Sequence, residues 1–540
     1  MSKPIFNLGL TMAGAISVGA YTAGVIDFLL EALKEWEKEK EKYPDKYPYD
    51  VKINAISGAS AGGMTAAIMT ALLGSKFEST KNTLHTSWVE DIDIEHLLGN
   101  RDIEKSKQIA SLLDSSVLDE ITERALNIKP DRDEWPSYIS ENLHILISVA
   151  NLRGVPYHLE FKGEKEDKAS AMRQHGMLMH EDFMHFIFSE NDPKCAKEPF
   201  AESAIWLDAN DYTKKDWDLF GETALASGAF PLGLAPRQLS RKLENYNNRK
   251  WLINLDCINC SDPNGQVKGY KYSKIEPSWP TGMPLDYDFN CVDGGLMNNE
   301  PFEWLSSYLS DEECTTENDY PNSALLMIDP FPQSDPLDLK KNIGALDIFG
   351  VFSEMFSALK NQARFKLEEI KRTSLNKAQE RFLISPTRTD AIKSPIAGGS
   401  LDGFGGFLSR DFREHDFILG RRNCQYFLKH HFTLSAHHPL FEKIKETDSE
   451  ELPIIPLHGS AAIKIKRPDW PEYNEDKLYC LSEMITSRME NIVSVLIKDF
   501  VKGFWATCFA KIFFWKNKIK MTIFVVNKIQ KNLQENGLMK

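Results

Sequence analysis

Cysteine is scarce and scattered, with eight in 540 residues at positions 195, 257, 260, 291, 314, 424, 480 and 508. That spacing excludes a disulfide-built scaffold and fits a reducing compartment, so a cytoplasmic location is expected. Cys257 and Cys260 have CxxC spacing, but no second pair or neighbouring His completes four zinc ligands, and they read as buried thiols. No EF-hand-like loop is present, and no repeat of fixed period. Basic side chains are outnumbered, 64 against 78 acidic, for a formal net charge of −14. This disfavours a protein that wraps nucleic acid over its surface. Acidic residues in turn are absent from Val501 to Gln534, and residues 501–540 carry eight Lys against Glu535 alone. The tail is therefore +7 and residues 1–500 are −21. What is present, 42% hydrophobic and 26% charged side chains, is the composition of a protein with a large packed core.

Ile5–Met12 alternates as a strand, Gly14–Gly19 is a small-residue turn, and Tyr21–Lys40 reads as a helix with a solvated Glu/Lys end. The strand pattern ranks above a signal-peptide reading of the same residues. Val51–Ser57 is a second strand, turning through Gly58–Gly62 into an apolar helix, Ala61–Leu73. Two strand–turn–helix units in succession predict an α/β fold with a parallel-rich sheet flanked by helices. Residues 78–200 read as a largely helical insertion, with Leu143–Ala150 and Tyr157–Phe161 as short strands. Ala204–Asp208, Trp251–Leu255, Asn290–Asp293 and Ala324–Asp329 read as buried parallel strands. The expected organisation is a catalytic domain over 1–335, a helix-rich region over 336–500 in which Ile343–Leu383 is helical, and a basic aromatic tail over 501–540.

Gly58-Ala59-Ser60-Ala61-Gly62 fits a nucleophile elbow, where a serine sits on a strained turn between strand and helix. The pentapeptide alone is a weak signal; the strand before it and the helix after it strengthen it. A serine needs a base, and Asp293 in Asp293-Gly294-Gly295 ends a short apolar run where two Gly permit close approach. Backbone N–H groups of Gly14 and Ala15, in the turn after the first strand, are the candidate oxyanion donors.

These features, in this order, resemble the patatin-like phospholipases: the small-residue turn, GxSxG after the second strand, and Asp-Gly-Gly followed by Asn298-Asn299-Glu300-Pro301. Ala224-Leu225-Ala226-Ser227-Gly228-Ala229-Phe230-Pro231 is similar to a further segment of that family, and Phe412–Arg421 to one in its large bacterial members. The resemblance covers roughly residues 5–335. It implies a calcium-independent hydrolase of membrane phospholipid acyl esters that uses a Ser60–Asp293 dyad without histidine and an acyl-enzyme, with no cofactor. One departure is that the family's turn reads Gly-Gly-Gly-x-Arg/Lys-Gly, whereas Val18 holds the basic position here. Two alternatives stand beside this reading. One is a Ser–Asp–His esterase on soluble esters, since His415, His430, His431, His437, His438 and His458 follow Asp293 in the order such enzymes use. The other is an impaired scaffold that binds lipid or a partner. A regulatory ligand or assembly is expected for any such hydrolase in a cell.

His180 and His185 approach the HExxH zinc motif with one residue too many. On a helix i and i+5 stand about 140° apart and cannot share a metal, so none is assigned. In the tail, Val501, Phe504, Trp505, Cys508, Ile512, Trp515, Ile519, Ile523 and Val526 fall on one stripe edged by Lys. Phe504, Trp505, Lys511, Trp515 and Lys516 are candidate contacts to an anionic membrane surface, and a core helix is the equal alternative.

Overall fold

The computed structural model describes residues 3–540 except 129, 133, 163–171, 196, 197, 199, 255–269, 310–321, 333–350, 352, 353, 356, 357, 359, 360, 363, 365–379, 390–393 and 445–448. β1 (Ile5–Met12) buries Phe6, Leu8, Leu10 and Met12 completely on one face and Gly9 and Thr11 on the other, as a strand covered on both faces does. It feeds α1 (Gly19–Lys42), β2 (Asp50–Gly58) and α2 (Ala61–Leu73), the two strand–turn–helix units expected. β2 lies parallel to β1, and Thr11 and Ser57, facing one another across the pair, share a hydrogen bond of 3.0 Å.

After α3 (Ser116–Leu126) come β3 (Ile139–Lys162), β4 (Met172–Ser189) and β5 (Ile205–Asp208), then α4 (Lys215–Ser227) and β6 (Arg237–Lys242). β7 (Lys250–Asn254), β8 (Tyr270–Lys274) and β9 (Asp286–Asp293) lead to α5 (Phe302–Leu309), β10 (Ser323–Ile328) and β11 (Glu380–Ile384). The described strands build a nine-stranded sheet in the order β11-β10-β1-β2-β3-β4-β5, with β9 beside β3 and β6 beside β9. Pairing is mostly parallel, with helices on its faces, so the chain is an α/β protein.

Three expectations are corrected. The helical reading of 78–200 holds in short pieces to Leu126, after which β3 and β4 form a long antiparallel pair within the sheet. Its proximal half is apolar and buried, as at Leu143, Ile145 and Phe186. The distal half carries the charges and histidines that imitate a polar insertion. β9 is antiparallel to β3 and β6, and β7 pairs with β8 in a separate two-stranded sheet. A short apolar run carries no record of its neighbour's direction. Most of Ile343–Leu383 lies outside the described residues, but its end is β11, parallel to β10 at the sheet edge. Cys257, Cys260 and Cys314 also lie outside them.

α6 (Arg410–His430), which contains the Phe412–Arg421 segment, crosses α1 so closely that only glycine fits. A Cβ on Gly24 would stand 2.0 Å from the Phe417 carbonyl oxygen, and one on Gly420 2.2 Å from that of Tyr21. One apolar cluster consequently runs from Phe6 through Leu419 and Phe427 to Ala461, across the boundary expected near 335. α1 with its preceding turn, Ile16–Lys42, is long and apolar enough to cross a bilayer, yet 94% of its most apolar window is buried between sheet and α6, as a core helix is. Beyond α6 the chain ends in α7 (Asp476–Phe500) and α8 (Phe504–Glu535).

Candidate active site

Ser60 caps α2 with φ 52° and ψ −126°, a left-handed conformation costing a non-glycine residue about 1–3 kcal/mol. The elbow closes because Gly62 has no side chain: a Cβ there would lie 2.1 Å from the Met12 carbonyl oxygen. The first turn of α2 carries no acid, so the positive end of its dipole faces the serine.

The Ser60 hydroxyl donates to Asp293 Oδ2 at 2.7 Å across 233 residues of chain, and both residues are buried. Asp293 Oδ1 accepts the Gly295 N–H at 2.7 Å, which fixes the carboxylate plane. Gly294 packs on the backbone of Ser148 in β3, where a Cβ would stand 2.2 Å from its carbonyl oxygen. The segment 224–231 braces both partners, through Ser227 Oγ accepting the Ser60 N–H at 2.9 Å and the Ala229 carbonyl accepting the Asp293 N–H at 2.9 Å.

The pair opens into a cavity of about 450 Å³, lined by Gly14, Ala15 and Ile16 of the turn after β1, by Phe230, Leu296 and Phe331, and by Asn299, Arg364 and Asp402. The oxyanion expectation needs correction at Gly14, whose N–H already donates to the Asn299 carbonyl at 3.2 Å. The N–H groups of Ala15 and Ile16 have no partner among the described residues. Ile16 takes φ 51° and lines the cavity beside Ala15. Val18 is fully buried in the core and takes no part in the lining.

Arg364, which sequence reasoning missed, is the cavity's cation among the described residues. It pairs with Glu300 at 2.9 Å and Asp329 at 2.7 Å and donates to the Phe331 carbonyl at 3.0 Å. Burial raises the Glu300 carboxyl to about 7, opposed by Arg364, and burial raises Asp329 as well. Asn299, read in the sequence only as part of the Asn298-Asn299-Glu300-Pro301 run, also lines the cavity.

No histidine lines the cavity among the described residues. His415 bonds Asp416 at 2.8 Å and Arg388 at 2.7 Å, His458 meets the Tyr47 hydroxyl at 2.7 Å, and His438 accepts the Leu440 N–H. His430 and His431 lie against Tyr426, and His437 is exposed. His180 and His185 stand on strand β4, where an odd spacing separates them to opposite faces; His185 is buried against His144 at 3.0 Å. His85, Glu90 and Glu414 come close enough to hold a cation, but Arg410 already bonds both carboxylates. In the tail, Lys511, Trp515 and Lys516 are exposed on α8; the side chains of Phe504 and Trp505 lie outside the described residues.

Fold and site together define an α/β protein with a serine–aspartate pair at a strand–turn–helix elbow. The chain is 33% identical, over an alignment of 563 positions, to the uncharacterized protein y4iI of Sinorhizobium fredii, covering 92% of this chain and 77% of that protein, and it belongs to the same family. No family model matches it.

Proposed function

We propose that this protein is a serine acyl hydrolase that cleaves fatty-acyl esters of membrane phospholipids or related lipids through a Ser60–Asp293 dyad, working in the cytoplasm at the membrane face. The observation that carries the reading is the 2.7 Å hydrogen bond from a positive-φ elbow serine straight to a buried carboxylate. Asp293 Oδ2 takes the hydroxyl proton as Ser60 Oγ bonds to the ester carbonyl carbon. The oxygen that becomes negative is met by the Ala15 and Ile16 N–H groups and the N-terminus of α2. Collapse expels the alcohol, which leaves with the proton from Asp293, and Ser60 remains acylated. Water then gives its proton to Asp293, attacks the acyl carbon and releases the fatty acid, returning the proton to Ser60. The apolar part of the cavity, Phe230, Leu296 and Phe331, suits an acyl chain, and the patatin-like motifs support the same chemistry.

A fluorophosphonate probe tests the reading. Wild-type protein is expected to be labelled and Ser60→Ala not. Folded wild-type protein that resists labelling would overturn it. Mass spectrometry of native lipids treated with each protein then identifies the ester cleaved.

A further inference from the structure

α7 and α8 form a helical hairpin whose two ends differ in kind. At its root, Leu533, Leu538 and Met539 are buried with Leu408, Phe412, Tyr473 and Leu481. Trp470 Nε1 donates to the Gly537 carbonyl at 3.0 Å, and Asn532 Oδ1 accepts the Leu401 N–H at 2.9 Å. Further out, α8 meets α7 with Thr522 bonding Thr486 at 2.9 Å and Lys518 pairing with Glu490, beside an open groove lined by Val493, Ile497, Ile512, Phe514 and Trp515. The rest of this stretch presents large apolar side chains to solvent: Phe509 is 72% exposed, Trp515 68%, Ile519 62%, Phe513 61% and Phe524 60%. An apolar surface of this kind, rooted in a well-packed core, marks a contact site.

The charges say what it contacts. At about 100° per residue, Lys516 and Lys520 make a row with Phe509, with Ile512, Ile519 and Ile523 on one flank and Phe513 and Phe524 on the other. Lys511, Lys516 and Lys520 have no acidic partner among the described residues, and α8 holds no acid before Glu535. A second copy docked α8 against α8 would bury this Lys row against itself. A bilayer accepts it, because lysine stems lie along apolar chains while the ammonium groups rise to the phosphates.

We infer that the α7–α8 hairpin is a docking element for the surface of an anionic bilayer, with the apolar side chains of α8 from Phe509 to Phe524 entering the acyl boundary. The root of the hairpin holds Leu401, whose neighbour Asp402 lines the catalytic cavity, so the root that carries the docked face is joined to the cavity rim. The inference rests on the exposed hairpin and not on hydrolysis, so it fails or stands separately from the proposed activity.

The test uses full-length Ser60→Ala protein and co-flotation with vesicles of phosphatidylcholine, with and without phosphatidylglycerol. Binding is expected only with the anionic lipid and should weaken as salt rises. Lys511→Glu, Lys516→Glu and Lys520→Glu together should lower the partition by about 100-fold, and Phe513→Ser with Trp515→Ser should also release the protein, each with unchanged thermal unfolding. Failure of the folded parent protein to bind anionic vesicles would overturn the inference, as would charge-reversed protein that binds as well as its parent. So would a solution dimer that Trp515→Ser converts to monomer.

Discussion

Replacing Asp293 by Asn removes the base from the proposed dyad while leaving the scaffold its contacts. Asp293 Oδ1 accepts the Gly295 N–H at 2.7 Å, so the new amide must keep its oxygen there and turn its NH2 toward Ser60. The Ser60 hydroxyl, which donates at 2.7 Å to Asp293 Oδ2, then faces a donor and has no proton acceptor. The main-chain bond from the residue 293 N–H to Ala229 is untouched, so folding should survive. A positioned general base contributes about 10²–10⁴-fold. The loss in kcat/KM for a soluble acyl ester should therefore be of that size, about 3–5 kcal/mol of barrier at 1.36 kcal/mol per tenfold. Fluorophosphonate labelling should slow in parallel, with the thermal midpoint near that of the parent. Activity within tenfold of the parent in folded protein, or complete loss on changing one of the six downstream histidines to Ala, would refute the dyad.

Two further perturbations follow from the geometry. Gly62→Ala places a methyl group 2.1 Å from the Met12 carbonyl oxygen, so β1 and α2 must separate; a loss of about 3 kcal/mol or more is expected by urea unfolding, and an unchanged midpoint would contradict so close an elbow. Glu300, ordinarily titrating at 4.5 and raised to about 7, binds a proton on folding between those values. Its contribution to stability is therefore greatest below the lower value, declines as pH rises toward about 7, and is constant above, an amplitude of about 3 kcal/mol. Glu300→Gln should flatten that part of the stability–pH curve relative to the parent, measured by urea midpoints, and identical slopes would show that Glu300 does not titrate there.

The first two strand–turn–helix units were legible because their signals are local. β1 and α2 run over the very residues that alternation and apolar periodicity mark, and Ser60 sits where a small-residue turn joins β2 to α2. What the sequence hides is pairing at a distance. The polar distal half of β3 and β4 is strand because the two pair with each other, and β9 runs antiparallel because β3 and β6 do so beside it. Gly24 and Gly420 carry no local sign that they meet α6 and α1. Arg364 falls in the segment Ile343–Leu383 that reads as helix, and only folding brings it beside Glu300 and Asp329.

Val18, where patatin-like turns have a basic residue, is explained by what covers the turn. The first residue of α1, Gly19, lies under the Trp88 ring, where a Cβ would meet its carbons at 2.2 Å, and Val18 beside it has no access to water. A cation there would have to be buried without a partner, a severe penalty. The turn is held instead by neutral hydrogen bonds. Ser17 Oγ donates to the Gly403 carbonyl and accepts the Gly406 N–H at 2.9 Å, and the Gly14 N–H is tied to Asn299. These bonds fix the turn on both sides of the Ala15 and Ile16 peptides, whose N–H groups have no partner among the described residues and whose residues line the cavity. Because Asn299 follows Asp293 by six residues, one segment of chain holds both the base and the turn opposite it. In the proposed reaction, then, transition-state charge is met by donors fixed before substrate arrives, which need no reorganisation as the charge develops. Arg364, already paired with two carboxylates, adds little net positive charge to that field.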